Sequence, residues 1–392
     1  MSMTIAMIGQ KGLPARSGGI ERHVEILASG LASRGQDVVV FGRDWYVGEQ
    51  ESDLKGVRQI LTSGIRTKHL DAITHSFTAL LAARKERPDI IHIHGTGIAL
   101  LTPIARILHP KAKVIVTFHC IDRTLSKWGG FAKLAFRIGE YFACHTSHQT
   151  IAVSETLARY CMNDFGVQTA YIPHPFPLPS QSEDSVERLA NYDLQPNAYL
   201  LFVGRLIPDK QAHVLIEAYR KVRLERPDLF RDISLILVGG GVWTDQYTNW
   251  LCRLAAEVPG VTMLGEKFGK DLAALQAHAM AHIFPTSSEG LSVAVMEAAA
   301  YKRPVVATNI EPNVEATDGH MISVKPLDVA DLAEGLVTLA NRSEAERKAM
   351  TDAAYEHLIR EYDSGDRVDD TLRVYNESLT GDPRLLTQVS VA

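Results

Sequence analysis

Short apolar segments alternate with longer segments of helical periodicity along almost the whole chain. The short segments are typical of parallel strands buried on both faces, and the longer ones of the helices that connect such strands. The pattern therefore predicts an α/β protein. The predicted strands are Thr4–Ile8, Asp37–Phe41, Ile90–His94, Lys113–Phe118 and Thr150–Val153, followed by Tyr199–Val203, Ser234–Val238, Val261–Leu264, His282–Phe284 and Pro304–Ala307.

A proline-rich segment, Ile172–Pro179, separates the two series of strands. Its prolines at alternate positions exclude a helix and favour an extended connector. Because a length of 392 residues also exceeds what one core usually serves, we predict two doubly wound Rossmann-like domains, 1–178 and 179–365, facing each other across a cleft. Ligands of such sheets bind beyond the carboxyl ends of the strands, so the chemistry is expected in that cleft.

The end of the chain has two helical patterns, Glu344–Tyr362 and Asp366–Leu379, with an interruption at Ser364-Gly365. Either both helices lie on the surface of the second domain, or the last helix crosses back to the first domain. Residues 380–392 follow no clear pattern and are expected to form a loose tail.

Composition and charge narrow the functional classes. The chain has 46% apolar and 22% charged residues, as an ordinary globular protein does, and its net charge of −5 argues against a nucleic-acid partner, which requires a basic face. The N-terminus lacks the features of a signal peptide, and no apolar run reaches the roughly 18 residues of a membrane span. We expect a cytoplasmic protein that can contact a membrane only peripherally.

The cysteines form no CxxC pair and no close cluster with histidines, so neither a zinc site nor a redox pair is indicated. They are expected to be reduced and mostly buried. The four are Cys120, Cys144, Cys161 and Cys252.

The first predicted strand leads through a loop to Gly18 and Gly19, where an amphipathic helix begins that runs to about Ser33. Glycines at a helix N-terminus let backbone N–H groups approach a phosphate or a sugar hydroxyl, and the helix dipole favours negative charge there. A tight strand-to-helix turn explains the glycines equally well. The loop contains neither G-x-G-x-x-G nor a Walker sequence.

Arg205 and Lys210 lie on one loop after the apolar strand Tyr199–Val203. A guanidinium grips phosphate oxygens through its fork and an ammonium adds a point charge, so this pair suits a diphosphate. Solvated surface cations are the alternative. The position at the carboxyl end of a strand favours a ligand site.

The most specific pattern runs over Pro285–Ala299 and contains Glu289 and Glu297. Glu289 precedes a predicted helix whose first free N–H groups suit an anion. Glu297 lies about two turns further along this mostly apolar helix, where an unpaired carboxylate is costly. We therefore favour a ligand such as vicinal ribose hydroxyls over an exposed helical Glu. The free N–H groups are expected at Gly290, Leu291 and Ser292.

Histidines mark two further strands. His119 follows Lys113–Phe118, where it can donate to a sugar hydroxyl or to charge on a leaving group, although a structural role is equally expected. His92 and His94 alternate on one face of their strand, as metal ligands do. No third ligand is apparent near them in the sequence, so we expect structural roles and no metal site.

Two segments, Arg66–Arg87 and Lys127–Arg137, mix cations with apolar and aromatic side chains, including Lys68 and Trp128. Such segments suit a peripheral contact with an anionic membrane surface or with a lipid-linked phosphate. Solvated helix faces are the commoner explanation.

Taken together, these motifs resemble the retaining glycosyltransferases of family 4, which have two facing Rossmann-like domains, the GT-B fold. The resemblance covers nearly the whole chain and implies a hexosyltransferase with a nucleotide-sugar donor, no metal in this site and no cofactor. It also implies that the last helix, 366–379, returns to the first domain. The motifs that carry it are Gly18-Gly19-Ile-Glu21, His94-Gly95, His119, Gly204-Arg205 with Lys210, Gly239-Gly240-Gly241, and Ser288-Glu289-Gly290 through Glu297-Ala298.

The resemblance implies roles for single residues. Arg205 and Lys210 would bind the donor diphosphate, and Glu297 the ribose hydroxyls. Glu289 and the amides that follow it would hold the transferred sugar, and His119 would hydrogen-bond that sugar near the reacting carbon; a covalent route through Glu289 stays open. The expected catalytic residues are His119, Glu289, Arg205 and Lys210, and the expected donor-binding residues are Gly18, Gly19, Arg205, Lys210, Lys267, Phe268, Glu289, Gly290, Leu291, Ser292 and Glu297.

One position departs from the family pattern: where many members have Pro-Asn-Gly, this chain has Pro173-His174-Pro175. The opening loop, Gly9–Pro14, and the segment around Lys68 resemble bacterial members that build cell-surface polysaccharides. We expect a UDP or GDP sugar as donor and a glycan or lipid-linked acceptor, with a small soluble acceptor as second choice. A nucleotide-sugar epimerase of the same fold and a noncatalytic nucleotide-sugar-binding protein are the alternatives.

Overall fold

The computed structural model describes residues 2–15, 18–47, 54–67, 69–125, 128–179, 185–241 and 245–381. Lys68, Lys127 and most of the expected tail, 382–392, lie outside these ranges. The chain divides into two compact units. The first unit comprises Met1–Pro177 and Tyr362–Ala392, and the second comprises Leu178–Glu361.

The first unit is built on a parallel sheet. Its strands are β1 (Thr4–Ile8), β2 (Asp37–Arg43), β3 (Val57–Thr62), β4 (Ile90–His94), β5 (Lys113–Phe118), β6 (Gln149–Ala152) and β7 (Ala170–Tyr171). They are ordered β3-β2-β1-β4-β5-β6-β7. Strands after β1 are first added on one side of it and then, from β4 on, on the other side, so the strand order reverses between β1 and β4. The sequence does not predict β3 and β7, because β3 is a half-exposed outer strand with polar residues and β7 spans only two residues.

Helices flank this sheet. They are α1 (Gly19–Ser33), α2 (Asp44–Val47), α3 (Asp71–Ala83), α4 (Thr102–Leu108), α5 (Gly130–His145) and α6 (Glu155–Phe165), with 3₁₀ turns at Ile98–Leu101 and Asp122–Thr124. Apolar residues of α1, such as Val24 and Leu27, pack with β1 and β2 in a fully buried core. This packing fixes the strand ends and the start of α1 relative to one another.

The second unit repeats the plan with a sheet of parallel strands. The strands are β8 (Tyr199–Val203), β9 (Ser234–Val238), β10 (Val261–Gly265), β11 (Ala281–Phe284), β12 (Val305–Thr308) and β13 (Ile322–Val324). Their order is β10-β9-β8-β11-β12-β13, and the reversal lies between β8 and β11. Only β13 is absent from the sequence prediction, because its three residues, Ile-Ser-Val, are too short a pattern.

The helices of the second unit are α7 (Ala212–Glu225), α8 (Pro227–Phe230), α9 (Asp245–Ala256), α10 (Gly269–His278), α11 (Val293–Ala300), α12 (Glu311–Thr317), α13 (Val329–Asn341) and α14 (Glu344–Glu361), with 3₁₀ turns at Val186–Tyr192 and Pro208–Lys210. The prediction of a α/β protein with two parallel-sheet Rossmann-like units is confirmed.

The last helix, α15 (Ser364–Thr380), packs on α1 and belongs to the first unit. Gly30 of α1 makes room for Val368, since a Cβ on Gly30 would lie 2.6 Å from the Val368 side chain. Tyr375 is fully buried in the same core. Apolar contacts therefore join this helix to α1, and an ion pair between Arg34 and Asp369 adds a polar contact.

The predicted interruption between the last two helices exists, but it lies at Tyr362-Asp363 and not at Ser364-Gly365. Ser364 and Gly365 lie inside α15, whose N-cap, Asp363, accepts hydrogen bonds from the N–H groups of Gly365 and Asp366 at 2.8 and 3.1 Å. An N-capping carboxylate satisfies donors of the first turn and so starts the helix before the glycine. The unit boundary also lies earlier than residue 365, because the Phe176 N–H already bonds the Tyr362 carbonyl at 3.0 Å.

Candidate active site

Hydrogen bonds join the loop after β8 to the loop after β11. The backbone carbonyl of Asp209 accepts hydrogen bonds from Ser287 N–H at 2.9 Å, from Ser287 Oγ at 3.2 Å and from Thr286 Oγ1 at 3.3 Å. Since β8 and β11 are neighbours at the point where the strand order reverses, these loops form the position where open α/β sheets bind ligands.

The ammonium of Lys210 and the carboxylate of Glu289 form an ion pair across these loops. The two side chains are 18% and 19% exposed, so each can still be reached from solvent. The two predicted site residues, 79 positions apart, are thus brought together. A cation and a hydrogen-bond acceptor therefore lie side by side on the loops after β8 and β11.

Glu297 lies on α11 and is half-buried. Its Oε2 accepts a hydrogen bond from Gln276 Nε2 of α10 at 2.7 Å. The carboxylate is therefore not left unpaired among apolar side chains, which was the cost expected from the sequence. Gln276 was not predicted as part of the site, because no motif connects two helices separated by a strand.

The segment Gly290–Ser292 precedes the helix instead of forming its first turn. Helix α11 begins at Val293 with Ser292 at the N-cap position, so the prediction that these residues supply the first helical N–H groups is wrong. The Ser292 hydroxyl donates to Asn313 Oδ1. Asn313 Nδ2 in turn donates to the Thr308 carbonyl at 2.9 Å and to Thr308 Oγ1 at 3.0 Å. This buried network fixes the conformation of the loop. Hydrophobic periodicity in the sequence does not distinguish so short a loop from the first turn of the helix.

Arg205 is exposed, and in the described part of the chain its guanidinium has no hydrogen-bond or ion-pair partner. The adjacent turn is held tightly: the Leu206 N–H bonds the Gly240 carbonyl at 2.9 Å. A Cβ on Gly239, whose φ is +151°, would lie 1.8 Å from the carbonyl oxygen of Gly204. Only glycine permits this approach of the two loops, which explains Gly239, the first residue of the Gly239-Gly240-Gly241 motif.

Lys267 and Phe268 follow β10 and lead into α10. The Lys267 ammonium lies 5.2 Å from the centre of the Tyr192 ring, while the Phe268 ring is 53% exposed. An exposed aromatic at the carboxyl end of a strand suits stacking with a base. Their role in binding the nucleobase stays a prediction.

In the first unit, Gly18 is the N-cap of α1 and has a φ of +104°, with Gly19 as the first helical residue. The buried carboxylate of Glu21 accepts a hydrogen bond from the Lys11 N–H at 3.2 Å. A Cβ on Gly18 would lie 2.1 Å from that carboxylate. The glycine therefore has a structural reason, so its proposed contact with the donor stays a prediction.

Four buried histidines of the first unit form what we call the histidine cluster: His23, His94, His119 and His174. His174 Nδ1 lies 2.8 Å from His23 Nδ1, and His94 Nδ1 lies 3.3 Å from His119 Nε2. Burial is the largest cause that holds the pKa of His23, His94 and His119 well below 6.5, and neighbouring histidines add to it. Burial also lowers the pKa of His174 to about 4.

His92 has a structural position, as expected. Its Nδ1 lies 2.6 Å from the Tyr375 hydroxyl and its Nε2 lies 2.6 Å from Thr117 Oγ1, so both ring nitrogens are occupied. A further histidine lies near His94 in space, because the ring centres of His23 and His94 are 5.4 Å apart, and the absence of a metal site stays a prediction. No sequence pattern connects these residues.

The cysteines are free; Cys144 and Cys161 are buried, Cys120 is half-buried, and Cys252 is exposed. Helix α5 exposes an apolar stripe, Phe131, Leu134 and Ile138, beside the exposed Lys133. Among the described helices none is both long enough and apolar enough to cross a membrane. For the segments Arg66–Arg87 and Lys127–Arg137, a peripheral membrane contact therefore stays a prediction, with a solvated helix face as the alternative.

The two-unit fold and the motifs at its strand ends are those of a GT-B glycosyltransferase. A family model described as "Glycosyltransferase Family 4" matches residues 17–178, and one described as "Glycosyl transferases group 1" matches residues 197–342. The chain belongs to glycosyltransferase family 4 and is a hexosyltransferase. This result favours glycosyl transfer over the epimerase and the noncatalytic alternatives.

Similar proteins have related descriptions. The chain is 27% identical to a glycogen synthase of Mycobacterium tuberculosis, over 98% of both chains, and 25% identical to a phosphatidyl-myo-inositol mannosyltransferase of Mycobacterium leprae, over 93% of this chain and 94% of the relative. The structure of Anabaena Alr3699/HepE in complex with UDP-glucose superposes with a TM-score of 0.75 at 18% identity, covering 95% of this chain and all of the other. The structural likeness shows the fold.

Proposed function

We propose that the chain is a retaining glycosyltransferase that moves a sugar from a UDP or GDP donor to a glycan or lipid-linked acceptor in the synthesis of a cell-surface polysaccharide. The observation that carries the proposal is the pairing of Lys210 with Glu289 where the strand order of the second sheet reverses. A cation and a carboxylate at this position suit a diphosphate and the hydroxyl groups of a sugar.

The donor diphosphate binds to Arg205 and Lys210 in this proposal. Arg205 is exposed and offers its guanidinium fork, while Lys210 exchanges its carboxylate partner for a phosphate oxygen. Both cations are in place before the anomeric C–O bond breaks, so they stabilise the departing diphosphate without reorganisation. The transfer then needs no metal at the diphosphate.

Glu289 changes partner in the same step. Once Lys210 turns to the diphosphate, the Glu289 carboxylate is free to accept hydrogen bonds from the transferred sugar. The backbone N–H groups of the loop Gly290–Ser292, which Asn313 holds in place, serve as further donors. Donor binding therefore converts an ion pair into a sugar site.

Glu297 holds the ribose. One carboxylate oxygen accepts from Gln276, which orients the group and leaves acceptor capacity for the vicinal hydroxyls. Phe268 offers its exposed ring to the base. The proposal also gives His119 a hydrogen bond to the transferred sugar, near the reacting carbon, and expects the acceptor hydroxyl to attack on the face that the diphosphate leaves.

The acceptor is proposed from the relatives and from one surface. The M. leprae relative is a phosphatidyl-myo-inositol mannosyltransferase, and phosphatidyl-myo-inositol is a lipid. The apolar stripe of α5 with Lys133 suits contact with an anionic lipid surface where such an acceptor would lie. A location at the inner face of the membrane, in the cytoplasm, agrees with this proposal.

The test is transfer itself. The full chain is incubated with a panel of UDP and GDP sugars and with glycan and lipid-linked acceptors, and release of nucleoside diphosphate is measured with and without acceptor. Proton NMR of the first product gives the anomeric configuration. Acceptor-dependent release with the donor's configuration kept supports the proposal, whereas an inverted product contradicts the retaining mechanism.

A further inference from the structure

The histidine cluster offers nitrogen atoms at the spacing of a metal site. One ring nitrogen from each of His23, His119 and His174 lies within 4.8 Å of the other two. Tetrahedral zinc with Zn–N bonds of about 2.0–2.1 Å requires nitrogens about 3.3 Å apart. The three nitrogens all lie within 4.8 Å of one another, which exceeds this value by at most about 1.5 Å.

The cluster also has unused coordination capacity. His23 Nε2, His94 Nε2 and His119 Nδ1 are buried and have no hydrogen-bond partner within the described residues. Leaving a buried polar atom unpaired is costly, so native structures rarely do so without a reason such as an ion. A cation bound through one of these nitrogens would give that nitrogen a partner.

We propose that the histidine cluster binds a transition-metal ion of the zinc class through His23, His119 and His174, with His94 beside the site. The ligands of this site belong to the first unit, and the site shares His119 with the proposed contact to the transferred sugar. The inference does not depend on which sugar is transferred.

The chemistry of the ligands selects the class of metal. Imidazole nitrogens suit Zn²⁺, Cu²⁺ and Ni²⁺, whereas Mg²⁺ and Ca²⁺ require oxygen ligands. In the part of the chain described, no carboxylate is a hydrogen-bond or ion-pair partner of the four imidazoles.

Three different elements supply the ligands, and the backbone around one of them is restrained. His23 lies on α1, His119 directly follows β5, and His174 stands between Pro173 and Pro175. Prolines on both sides restrict the backbone of His174 and reduce the entropy lost when its ring binds a metal.

The test uses the full chain, freed of metal with a chelator, and titrated with Co²⁺ and Zn²⁺. We expect one Co²⁺ to bind per chain with the strong visible absorption of a four- or five-coordinate ion, and Zn²⁺ to displace it. Calorimetry measures the Zn²⁺ affinity. His174→Asn and His23→Gln should each weaken Zn²⁺ binding by at least about tenfold. His92→Gln is the matched control, since His92 is buried beside His94 but both of its nitrogens are occupied, and it should change the affinity by less than about threefold.

Circular dichroism and the melting temperature of each variant establish that it is folded. If a variant does not fold, the Co²⁺ spectrum of the unchanged chain decides. A folded chain that gives only the weak spectrum of six-coordinate Co²⁺, or that shows no saturable Zn²⁺ binding, overturns the proposal. Equal loss of affinity in His92→Gln and His174→Asn overturns it too, because the effect would then not be specific for the ligands.

Discussion

Gln276 Nε2 donates a 2.7 Å hydrogen bond to Glu297 Oε2, and thereby links α10 to α11. The Gln276 side chain is buried, so the bond is protected from water and holds one carboxylate oxygen in place. The orientation of the proposed ribose ligand thus depends on a residue that no motif of the family resemblance contains.

We expect Glu297→Gln to weaken binding of the preferred nucleoside diphosphate by about 10- to 100-fold, because hydrogen bonds to a charged acceptor are each worth about 1.5–3 kcal/mol. Gln276→Ala should weaken it less, by about two- to tenfold, since the carboxylate remains but loses its orientation. Calorimetric titration gives both values. Glu334→Gln, on the exposed face of α13, is the control. Equal affinity in the unchanged chain and Glu297→Gln would refute the ribose assignment.

The Lys210–Glu289 ion pair predicts opposite effects on binding and turnover. In Glu289→Gln the ammonium no longer has to leave a carboxylate, so the diphosphate should bind about two- to tenfold more tightly. Turnover should fall at least about tenfold, because the charged acceptor for the sugar is lost. Glu225→Gln removes the comparable surface pair with Lys221 and should change neither quantity. Weaker diphosphate binding in Glu289→Gln would contradict the exchange of partners.

Stability of the second unit depends on the close approach of Gly239 to Gly204. Gly239→Ala would place a Cβ 1.8 Å from the Gly204 carbonyl oxygen, so we expect the free energy of unfolding to fall by about 1–3 kcal/mol or more. Gly269→Ala is the control, because Gly269 has a φ of +54° but no atom within 4 Å of an added Cβ. It should lose only about 1 kcal/mol from the backbone conformation. Urea unfolding measures both, and equal losses would show that the contact is not decisive.

The buried histidines couple stability to pH. Burial lowers the pKa of His92 from 6.5 to about 3 and that of His174 to about 4. At a pH between the lowered pKa of each histidine and 6.5, the unfolded chain binds more protons than the folded one. The free energy of unfolding therefore decreases as the pH falls below about 6.5, by up to about 1.4 kcal/mol per pH unit for each such histidine. Urea unfolding in the presence of a chelator, at about pH 7.5 and about pH 5.5, measures this slope. His92→Gln should make it shallower. A stability that rises toward acid pH would contradict the burial of neutral imidazoles.

Metal should affect transfer only through the histidine cluster. If His119 contacts the transferred sugar, as proposed, a Zn²⁺ ion bound to its ring will withdraw it from that role. We therefore expect a chelator not to lower turnover, and Zn²⁺ to inhibit it less in His174→Asn than in the unchanged chain. Strict dependence of turnover on an added divalent metal would refute the metal-independent mechanism. Zn²⁺ binding without inhibition would refute the role of His119 and leave the metal site standing.

Much of the fold follows from the sequence. A strand buried on both faces needs an apolar run, so strands such as β4 and β8 have the same bounds in the prediction and in the structure. The strands that the sequence does not predict are short or half-exposed, as β3 and β13 are, because their residues meet solvent or few neighbours and need no regular pattern.

The sequence also determined where the proposed site residues of the second unit lie along the chain. Arg205, Lys210, Glu289 and Glu297 all follow strands or lie on the helix after one, and this placement is a property of the local chain. Only the tertiary structure decided their partners: Lys210 meets Glu289 because β8 and β11 are neighbours in the sheet, and Glu297 meets Gln276 because two helices pack.

The histidine cluster is decided entirely by tertiary structure. His23, His94, His119 and His174 come from a helix, two strand ends and the connector, and nothing in their spacing along the chain relates them. Periodicity describes contacts between residues a few positions apart, whereas coordination depends on distances in space. The sequence therefore determined the elements and the residue types at their ends, and the packing of the sheet determined which of those residues meet.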